Sequence, residues 1–403
     1  MGRKEELLAI KNYNEQLILK EIYLYGPVSR ISLSKKLDLS PTAVSDLTKD
    51  LLNKELIIDN TKLKIYNNGA GRPARGLVFN IKAGYVFIIK EEINKLEGAI
   101  LDLGGNIVYT VESLYKIEEG SEKFLERIGE LIDRLFRKLG DKELWGIGVV
   151  IRGVVIENKV YMHSQIKGWG EVDIYNYILK QYNFKPYIIN YPNSAAIGEI
   201  KNDNDRKITN LLYINWGMSI GMGIIINRKL YKGSRDIAGE IGHIIVDDRS
   251  EVRCYCGKYG CLEAVATGRS LIKDIQSALE EGVSSSLQKI DKNINIELII
   301  EEALNGDKLA YSKLKEKFRF LGKGLAILSD IFDPDTIIIG GEMIKAGEEF
   351  FNILRMEYSE EMLSIPIIGY KEQSKINLKL TDINEKNVFL GGVAIITDTI
   401  LSM

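Results

Sequence analysis

The sequence predicts an α/β body that follows a small winged helix-turn-helix unit. After Gly76, apolar strand-like runs alternate with amphipathic helix-like runs, a pattern typical of α/β domains. Before it, three short helix patterns precede two short strand patterns. Because 403 residues are enough for two or three domains with cores of their own, we expect a DNA-binding head in residues 1–78 and a body in residues 79–403.

Helix start and stop signals predict the elements of the head. Gly26-Pro27 ends the first helix pattern, Ser29 can cap the second, and Ser40 with Pro41 provides an N-cap and a first helical residue for the third. The predicted helices are 14–25, 30–37 and 41–54, and the predicted wing strands are 57–58 and 64–66.

The body alternates strands and helices along its length. The predicted strands are 85–89, 98–103, 107–111, 146–151, 187–190, 211–215, 220–226 and 336–339. The predicted helices include 121–139, 174–182 and one that starts at Asn193.

Composition and charge favour a cytoplasmic, nucleic-acid-binding protein over a membrane protein. Hydrophobic residues make up 45% and charged residues 27% of the chain, which is ordinary for a soluble protein. We find neither an apolar run long enough for a transmembrane helix nor the apolar segment of a secretory signal. Residues 1–80 carry 13 basic against 9 acidic side chains, whereas the remainder has an acidic excess, so a basic head precedes an acidic body.

The third helix of the head is the predicted DNA-reading element. A helix-turn-helix places its second helix in the major groove, where short hydroxyl side chains reach bases and phosphates and lysines neutralise phosphates. The segment Gly-Arg-Pro after the wing presents a rigid cation suited to a narrow minor groove. A plain three-helix unit and a linker with incidental charge are the alternative interpretations. The candidate DNA contacts are Lys35, Lys36, Ser40, Thr42, Ser45, Thr48, Lys49 and Arg72.

The three cysteines fall within one window of eight residues and predict a zinc site. Cys254, Cys256 and Cys261 have the spacing C-x-C-x4-C, and His243 lies eleven residues upstream as a fourth donor. Three thiolates with one imidazole are a common structural zinc set. A disulfide would leave one cysteine unpaired and is disfavoured in the cytoplasm, and inert buried thiols are the remaining alternative.

Acidic residues beside this window predict a site for a polyol. Glu240 and His243 lie three residues apart, so a carboxylate and a metal-fixed imidazole could hydrogen-bond neighbouring hydroxyl groups. Glu263, two residues after Cys261, could supply a second carboxylate.

These motifs resemble a known family. The stretch LYKGSRDIAGEIGH at residues 230–243 and CYCGKYGCLE at residues 254–263 closely resemble the ROK family of repressors and sugar kinases, and the helix-turn-helix with GRPA resembles its repressor branch. The resemblance implies an actin-like, two-lobed sugar-kinase fold with a cleft, one lobe formed by residues 79–190 plus the C-terminal helix and the other by 191–382. It also implies sugar contacts from Gly153, Asn190, Glu240, His243 and Glu263, and zinc held by His243, Cys254, Cys256 and Cys261.

Departures from the kinase pattern predict a protein that is not an enzyme. Tyr191 stands where kinases of the family carry an aspartate base, and a phenol with an ordinary pKa of about 10 is a poor base near neutrality. The first phosphate loop reads IIKEEIN at residues 88–94 and the second reads GMSIG at residues 217–221. We expect the bulk of Tyr191 to favour a small sugar, such as the pentose xylose.

The resulting prediction is a sugar-responsive transcriptional repressor. It would bind double-stranded operator DNA as a homodimer or homotetramer and be modulated by a monosaccharide. An ATP-dependent ROK sugar kinase and a constitutive DNA-binding protein with a vestigial cleft are the alternatives.

Overall fold

The computed structural model describes the following parts of the chain: residues 13–65, 74–161, 169–203, 205–289, 294–362, 376–381 and 386–401. These residues form two compact units. The first draws on Met1–Gly153, Asn158–Ile189 and Phe389–Met403, and the second on Val154–Glu157 and Asn190–Val388. The first unit therefore holds both the head and the first half of the body, and the division at residue 78 stays a prediction.

The head contains three helices and a two-stranded sheet. Their bounds are α1 Tyr13–Tyr25, α2 Arg30–Leu37, α3 Pro41–Asn53, β1 Ile57–Ile65 and β2 Ala74–Phe79. Ser29 and Ser32 cap α2 reciprocally, and the Ser40 hydroxyl accepts from the Ala43 N–H at 3.2 Å, so the predicted helix starts are confirmed.

The predicted wing was wrong in its pairing. Both predicted strand segments belong to β1, which pairs antiparallel with β2. The register shifts between Asn60 and Lys64, which leaves the intervening residues unpaired in a bulge-like irregularity. The two segments read as separate strands because three polar residues, Asn60-Thr61-Lys62, lie between them in the sequence. Arg72 lies outside the described residues.

The rest of the first unit is built on a five-stranded sheet of order β10-β6-β3-β4-β5. Its strands are β3 Tyr85–Glu92, β4 Lys95–Asp102, β5 Ile107–Leu114, β6 Leu144–Ile151 and β10 Tyr187–Asn190. Every residue of β6 is buried. A Cβ at Gly146 would lie 2.7 Å from Ile396 Cγ2, so glycine is needed for the close approach of the C-terminal helix.

Helices cover this sheet, and three short strands lie in the same part of the sequence. The helices are α4 Gly120–Leu139, α5 Ile174–Tyr182 and α12 Lys386–Ile400, and the short strands are β7 Val154–Ile156, β8 Lys159–Tyr161 and β9 Glu171–Val172. In α12 the chain passes from the second unit back to the first at Phe389.

The second unit is built on a mixed sheet of order β13-β12-β11-β14-β15. Its strands are β11 Leu211–Trp216, β12 Ile220–Ile226, β13 Lys229–Leu230, β14 Thr336–Gly340 and β15 Asn377–Leu380. Its helices are α6 Tyr191–Asn202, α7 Leu262–Ala266, α8 Gly268–Glu280, α9 Ile296–Leu304, α10 Lys308–Phe332 and α11 Gly347–Glu361. The core lies between this sheet and the helices from α7 to α11 and includes Trp216, Phe318 and Phe350.

Within the part of the chain that the structure describes, no helix has the length and apolar character needed to cross a membrane.

Candidate sugar, metal and DNA sites

The predicted metal ligands come together in the second unit. Ligand atoms of His243, Cys254, Cys256 and Cys261 all lie within 4.8 Å of one another. Cys254 Sγ is 3.6 Å from His243 Nδ1, and Cys256 Sγ is 3.6 Å from Cys261 Sγ. All three cysteines are free, so the disulfide alternative is wrong for this structure. The cluster therefore provides four donors around one point, through Nδ1 of the imidazole.

Local backbone pairing assembles this cluster. His243 ends a short 3-10 helix, Ile241–His243, and the antiparallel bridges Ile245↔Cys261 and Arg253↔Tyr259 close the cysteine loop. Lys258 Nζ donates to the His243 carbonyl oxygen at 2.7 Å. Burial, and then the Lys258 charge, lower the pKa of His243, which favours the neutral imidazole that binds metals. Three thiols and a neutral imidazole fit a tetrahedral zinc ion.

A polar pocket lies in the second unit, beside the segment that leads to this cluster. Its empty volume is about 300 Å³, part of which is open to solvent. The lining residues come from β7, the start of α6, β12 and the loop after β13: Val154, Val155, Asn190, Pro192, Asn193, Gly221, Met222, Asp236, Ala238, Gly239 and Glu240. The asparagine and carboxylate side chains among these residues can hydrogen-bond a small polar ligand.

The glycine before Glu240 explains how the pocket is built. Gly239 has φ +99°, and a Cβ there would lie 2.0 Å from the Met222 carbonyl oxygen. Only glycine fits so close to β12 in this conformation. The Met222 N–H donates to the Gly239 carbonyl at 3.0 Å, which fixes Glu240 at the pocket wall. Desolvation there raises the pKa of the Glu240 carboxyl group.

The structure brings together only part of the predicted sugar-binding set. Asn190 and Glu240 line the pocket. Glu263 is 7% exposed and accepts from the Ile220 N–H at 3.0 Å, so the buried carboxylate supports the start of β12. His243 lies in the metal cluster. Gly153 belongs to the other unit, and its role as a sugar contact stays a prediction.

The helix that carries Glu263 is held at its end by two buried donors. Trp216 Nε1 donates to the Ala266 carbonyl at 2.8 Å, and Lys317 Nζ donates to the Val265 carbonyl at 2.9 Å. Lys317 is only 2% exposed and also pairs with Asp274. These bonds satisfy carbonyl groups at the C-terminal end of a short helix, where intrahelical partners are lacking.

Tyr191 lies in the interior of the second unit. Its side chain is 0% exposed, and it is absent from the described residues that line the pocket. The first turn of α6 turns this side chain inward, and its effect on the size of the sugar site stays a prediction. The preference for a small sugar such as xylose stays a prediction as well.

Two pocket residues escaped the sequence analysis. Asp236 lines the pocket with φ +57°, a left-handed conformation. Asn193 also lines it, and its buried Oδ1 accepts no hydrogen bond within the described residues. The asparagine follows Asn190 by three residues near the start of a helix, which is the one signal that could have identified it.

The regions that correspond to the two phosphate loops are occupied by the protein's own charges. Glu342 Oε2 accepts from the Met218 N–H at 3.2 Å in the second loop. In β3, Lys90 is 4% exposed and its Nζ lies 2.6 Å from Glu92 and 3.1 Å from Glu97.

Glu91, on the same strand, is also buried. It accepts from the Tyr115 hydroxyl at 2.7 Å and from the Arg152 N–H at 2.9 Å. Burial raises its pKa, an effect that the Arg152 charge opposes. The Tyr115 hydroxyl and the Arg152 N–H therefore hold the Glu91 carboxyl group in the interior of the first unit.

Most of the predicted DNA contacts that the structure describes lie on the surface of the head. The exposed ones are Lys35, Lys36, Ser40, Thr42, Ser45 and Lys49. Lys36 Nζ lies 2.5 Å from Glu21 and sits over the Tyr25 ring, so its charge is partly balanced.

Thr48 was wrongly predicted to contact DNA. It is 0% exposed, and its Oγ1 accepts from Arg30 Nε at 2.9 Å. Thr48 is four residues after the buried Val44 and three before the buried Leu51, so it lies on the inner face of α3. Arg30 also reaches Asp59 at 3.5 Å and thereby joins α2, α3 and the wing.

Curated relatives align along most or all of the chain. The putative xylose repressor of Caldicellulosiruptor sp. (strain Rt8B.4) is 28% identical over 98% of this chain and 97% of its own. The xylose repressor of Bacillus subtilis (strain 168) is 29% identical, covering 88% of each chain. The N-acetylglucosamine repressor of Escherichia coli O157:H7 is 29% identical over 84% of this chain and 82% of its own.

Solved structures and a family model agree with the predicted fold class. A ROK family transcriptional regulator, a homologue of the E. coli MLC protein, matches with a TM-score of 0.78 and 24% identity over 96% of each chain. A ROK family glucokinase from Streptomyces griseus matches with a TM-score of 0.63 and 24% identity over 77% of this chain and 99% of its own. These matches confirm the predicted α/β sugar-kinase-like fold. The family model covers residues 93–398, and the chain therefore belongs to the ROK family.

Proposed function

We propose that this protein is a sugar-responsive transcriptional repressor of the cytoplasm. The observation that carries the proposal is the extent of the similarity to proteins named xylose repressors, which spans 98% of this chain and includes the head. The repressor function then combines a DNA-binding head with a ligand pocket in the body.

The pocket supports the sugar-binding part of the proposal. Asn190 and Glu240 present an amide and a carboxylate beside apolar wall residues, which suits a ligand with both hydroxyl groups and C–H faces. Gly153, His243 and Glu263 would complete the sugar-binding set. The ligand would be a monosaccharide.

The metal in the cysteine cluster would be a structural zinc ion. His243, Cys254, Cys256 and Cys261 would hold it. When bound, zinc would fix the position of the imidazole and stabilise the loop. The short helix that ends at His243 begins directly after Glu240, so the same segment supports both the ligand site and the metal site.

The head would dock on double-stranded DNA with α3 in the major groove. Ser40, Thr42 and Ser45 lie at the exposed N-terminal end of α3, where a recognition helix meets base edges. Lys35, Lys36 and Lys49 would contact phosphates, and Arg72 would enter the minor groove. A homodimer or homotetramer would present two or more heads to a symmetric operator.

The charged groups described above argue against a sugar kinase. Phosphoryl transfer needs backbone donors and cations that are available to phosphate. Glu342 already accepts from the Met218 N–H, and Lys90 is buried between glutamates. Tyr191, where the kinases carry their base, is fully buried.

Sugar can regulate DNA binding only through a difference in its affinity for the DNA-bound and DNA-free states. The test is fluorescence anisotropy of the full chain on an operator selected from random-sequence DNA, with xylose, glucose or N-acetylglucosamine added. We expect one sugar to change operator affinity by about 5- to 150-fold.

A matched variant completes this test. Glu240→Gln should bind the operator like the wild type but need about 10- to 100-fold more sugar for the same response. Sequence-independent DNA binding that no sugar alters would overturn the proposal.

A further inference from the structure

Asp236 is the unusual residue of the pocket wall. Its φ of +57° lies in the left-handed region, where glycine is favoured and aspartate is tolerated among the L-residues. The residue is exposed and lines the pocket together with Glu240. Asp236 therefore adds a second acidic side chain to the pocket wall, beside Glu240.

The charges of the pocket are all of one sign. Asp236 and Glu240 are the charged members of the lining, and no lysine or arginine belongs to it among the residues that the structure describes. Lys232 and Arg235 lie in the loop that carries Asp236, but both are exposed and neither lines the pocket. An anionic ligand would therefore meet two like charges without a lining cation to compensate them.

The polar groups of the wall also favour hydrogen-bond donors. Asn193 Oδ1 is buried and accepts no hydrogen bond within the described residues. A buried acceptor without a donor is costly, and a ligand hydroxyl group can satisfy it. Together with the two carboxylates, it gives the pocket acceptor groups that match the hydroxyl donors of a sugar.

We propose that Asp236 is a specificity-determining residue that selects uncharged, hydroxyl-rich monosaccharides and rejects phosphorylated or carboxylated ones. This inference rests on the proposed sugar-responsive function and names the chemical class of its effector. The carboxylate accepts from sugar hydroxyl groups, and its charge repels a phosphate or carboxylate on the ligand.

Matched ligand pairs test the selection. Isothermal titration of the full chain with glucose and glucose 6-phosphate, glucose and glucuronate, and N-acetylglucosamine and its 6-phosphate compares neutral with anionic forms. We expect the neutral member of the binding pair to bind at least about tenfold more tightly at low salt. The ratio should shrink as ionic strength rises, since salt screens exposed charges.

Two variants isolate the charge of Asp236. Asp236→Asn retains a residue that tolerates the left-handed conformation, and Asp236→Gly removes the side chain and its strain. Both should reduce the neutral-to-anionic ratio by about three- to tenfold, mainly through tighter binding of the anionic member. Asp248→Asn, an exposed acid of the same unit that is outside the lining set, should leave the ratio unchanged.

The outcomes separate this inference from the function on which it rests. A wild-type protein that binds a phosphorylated or carboxylated sugar more tightly than its neutral partner overturns the inference but leaves a sugar-responsive repressor intact. A ratio that Asp236→Asn does not change overturns the role of Asp236. If no member of any pair binds, the proposed function fails and the inference with it.

Discussion

Two polar regions of the second unit differ in how their hydrogen-bonding groups are satisfied. In the pocket, Asn193 Oδ1 accepts no hydrogen bond within the described residues. In the second phosphate-loop region, the Met218 N–H already donates to Glu342. The first region retains an acceptor that a ligand can use, whereas in the second a side chain supplies the negative charge that a phosphate would bring. A protein with this pair of features is suited to recognising a sugar without phosphorylating it.

The first unit shows the same internal compensation. The buried Lys90 ammonium lies between Glu92 and Glu97. A buried ion pair with partners on both sides has little to gain from an external phosphate, because displacing either glutamate would leave a buried charge unpaired.

Disrupting the cysteine–histidine cluster should have the largest effect on sugar binding and stability. The loop that carries Glu240 leads directly into this cluster. We expect His243→Ala to lose zinc, to destabilise the second unit by at least about 4 kcal/mol and to abolish the sugar response. Zinc content by mass spectrometry and chemical denaturation measure these changes.

The control for this variant is Tyr259→Phe, an exposed change on the same loop that should retain the metal. A His243→Ala protein that folds normally and still responds to sugar would contradict the assignment of His243. Cys256, the exposed ligand, should be less critical for stability than the buried Cys261.

Removing the pocket carboxylate should weaken sugar binding without unfolding the protein. We expect Glu240→Gln to reduce sugar affinity by about 10- to 100-fold, because hydrogen bonds to a charged acceptor are stronger than those to a neutral one. Isothermal titration measures the affinity, and thermal unfolding without sugar should stay near the wild-type value. Unchanged affinity would mean that the pocket is not the sugar site.

Substitutions on the exposed face of α3 should change DNA affinity, whereas a substitution on its buried face should change stability. We expect Thr42→Ala and Ser45→Ala each to weaken operator binding by about 1 kcal/mol with no loss of fold. Thr48→Val should instead lower the free energy of unfolding by about 1–2 kcal/mol, because Arg30 loses its acceptor. A Thr48→Val protein of normal stability that no longer binds the operator would restore Thr48 as a DNA contact.

The carboxylate in the phosphate-loop region should contribute modestly to stability. We expect Glu342→Ala to lower the free energy of unfolding by about 1 kcal/mol, because the Met218 N–H loses its partly buried acceptor. Urea denaturation measures this change. The variant should still release no ADP from ATP in the presence of sugar, and sugar-dependent ATP turnover would show that this carboxylate alone blocks catalysis.

Near neutral pH, a change of pH should alter sugar affinity less than any of the substitutions above. The pKa of Glu240 is raised, so its carboxylate becomes protonated at a higher pH than that of an ordinary glutamate. Affinity for a neutral sugar should therefore be constant near pH 7 and fall as pH drops through that raised pKa. Titrations from pH 7.5 to about 5 measure this, and Glu240→Gln should remove the dependence. An affinity that rises on acidification would contradict the acceptor role.

The sequence predicted well those features that local chemistry determines. Ser29 and Ser40 marked two helix starts because capping depends on a few neighbouring atoms. The cluster of one histidine and three cysteines was identifiable because few residue types bind zinc and the spacing of the cysteines is short. These signals are contained within short segments of chain.

The errors and omissions arose where tertiary context decides. The wing was misread because the irregularity in β1 depends on its partner strand, and the full burial of Tyr191 depends on how α6 packs. Neither the left-handed backbone of Asp236 nor the unsatisfied Asn193 acceptor can be recognised from residue type alone. Thr48 is different: its spacing from Val44 and Leu51 already indicated burial.

One measurement addresses the contrast between the pocket and the phosphate-loop region most directly. Purified full-length protein is titrated with a neutral sugar in a calorimeter, with and without ATP and magnesium, and the same samples are assayed for ADP. We predict saturable sugar binding, the same affinity with and without the nucleotide, and no ADP above the blank. ADP that accumulates in proportion to bound sugar would contradict the account and show that this chain is a kinase.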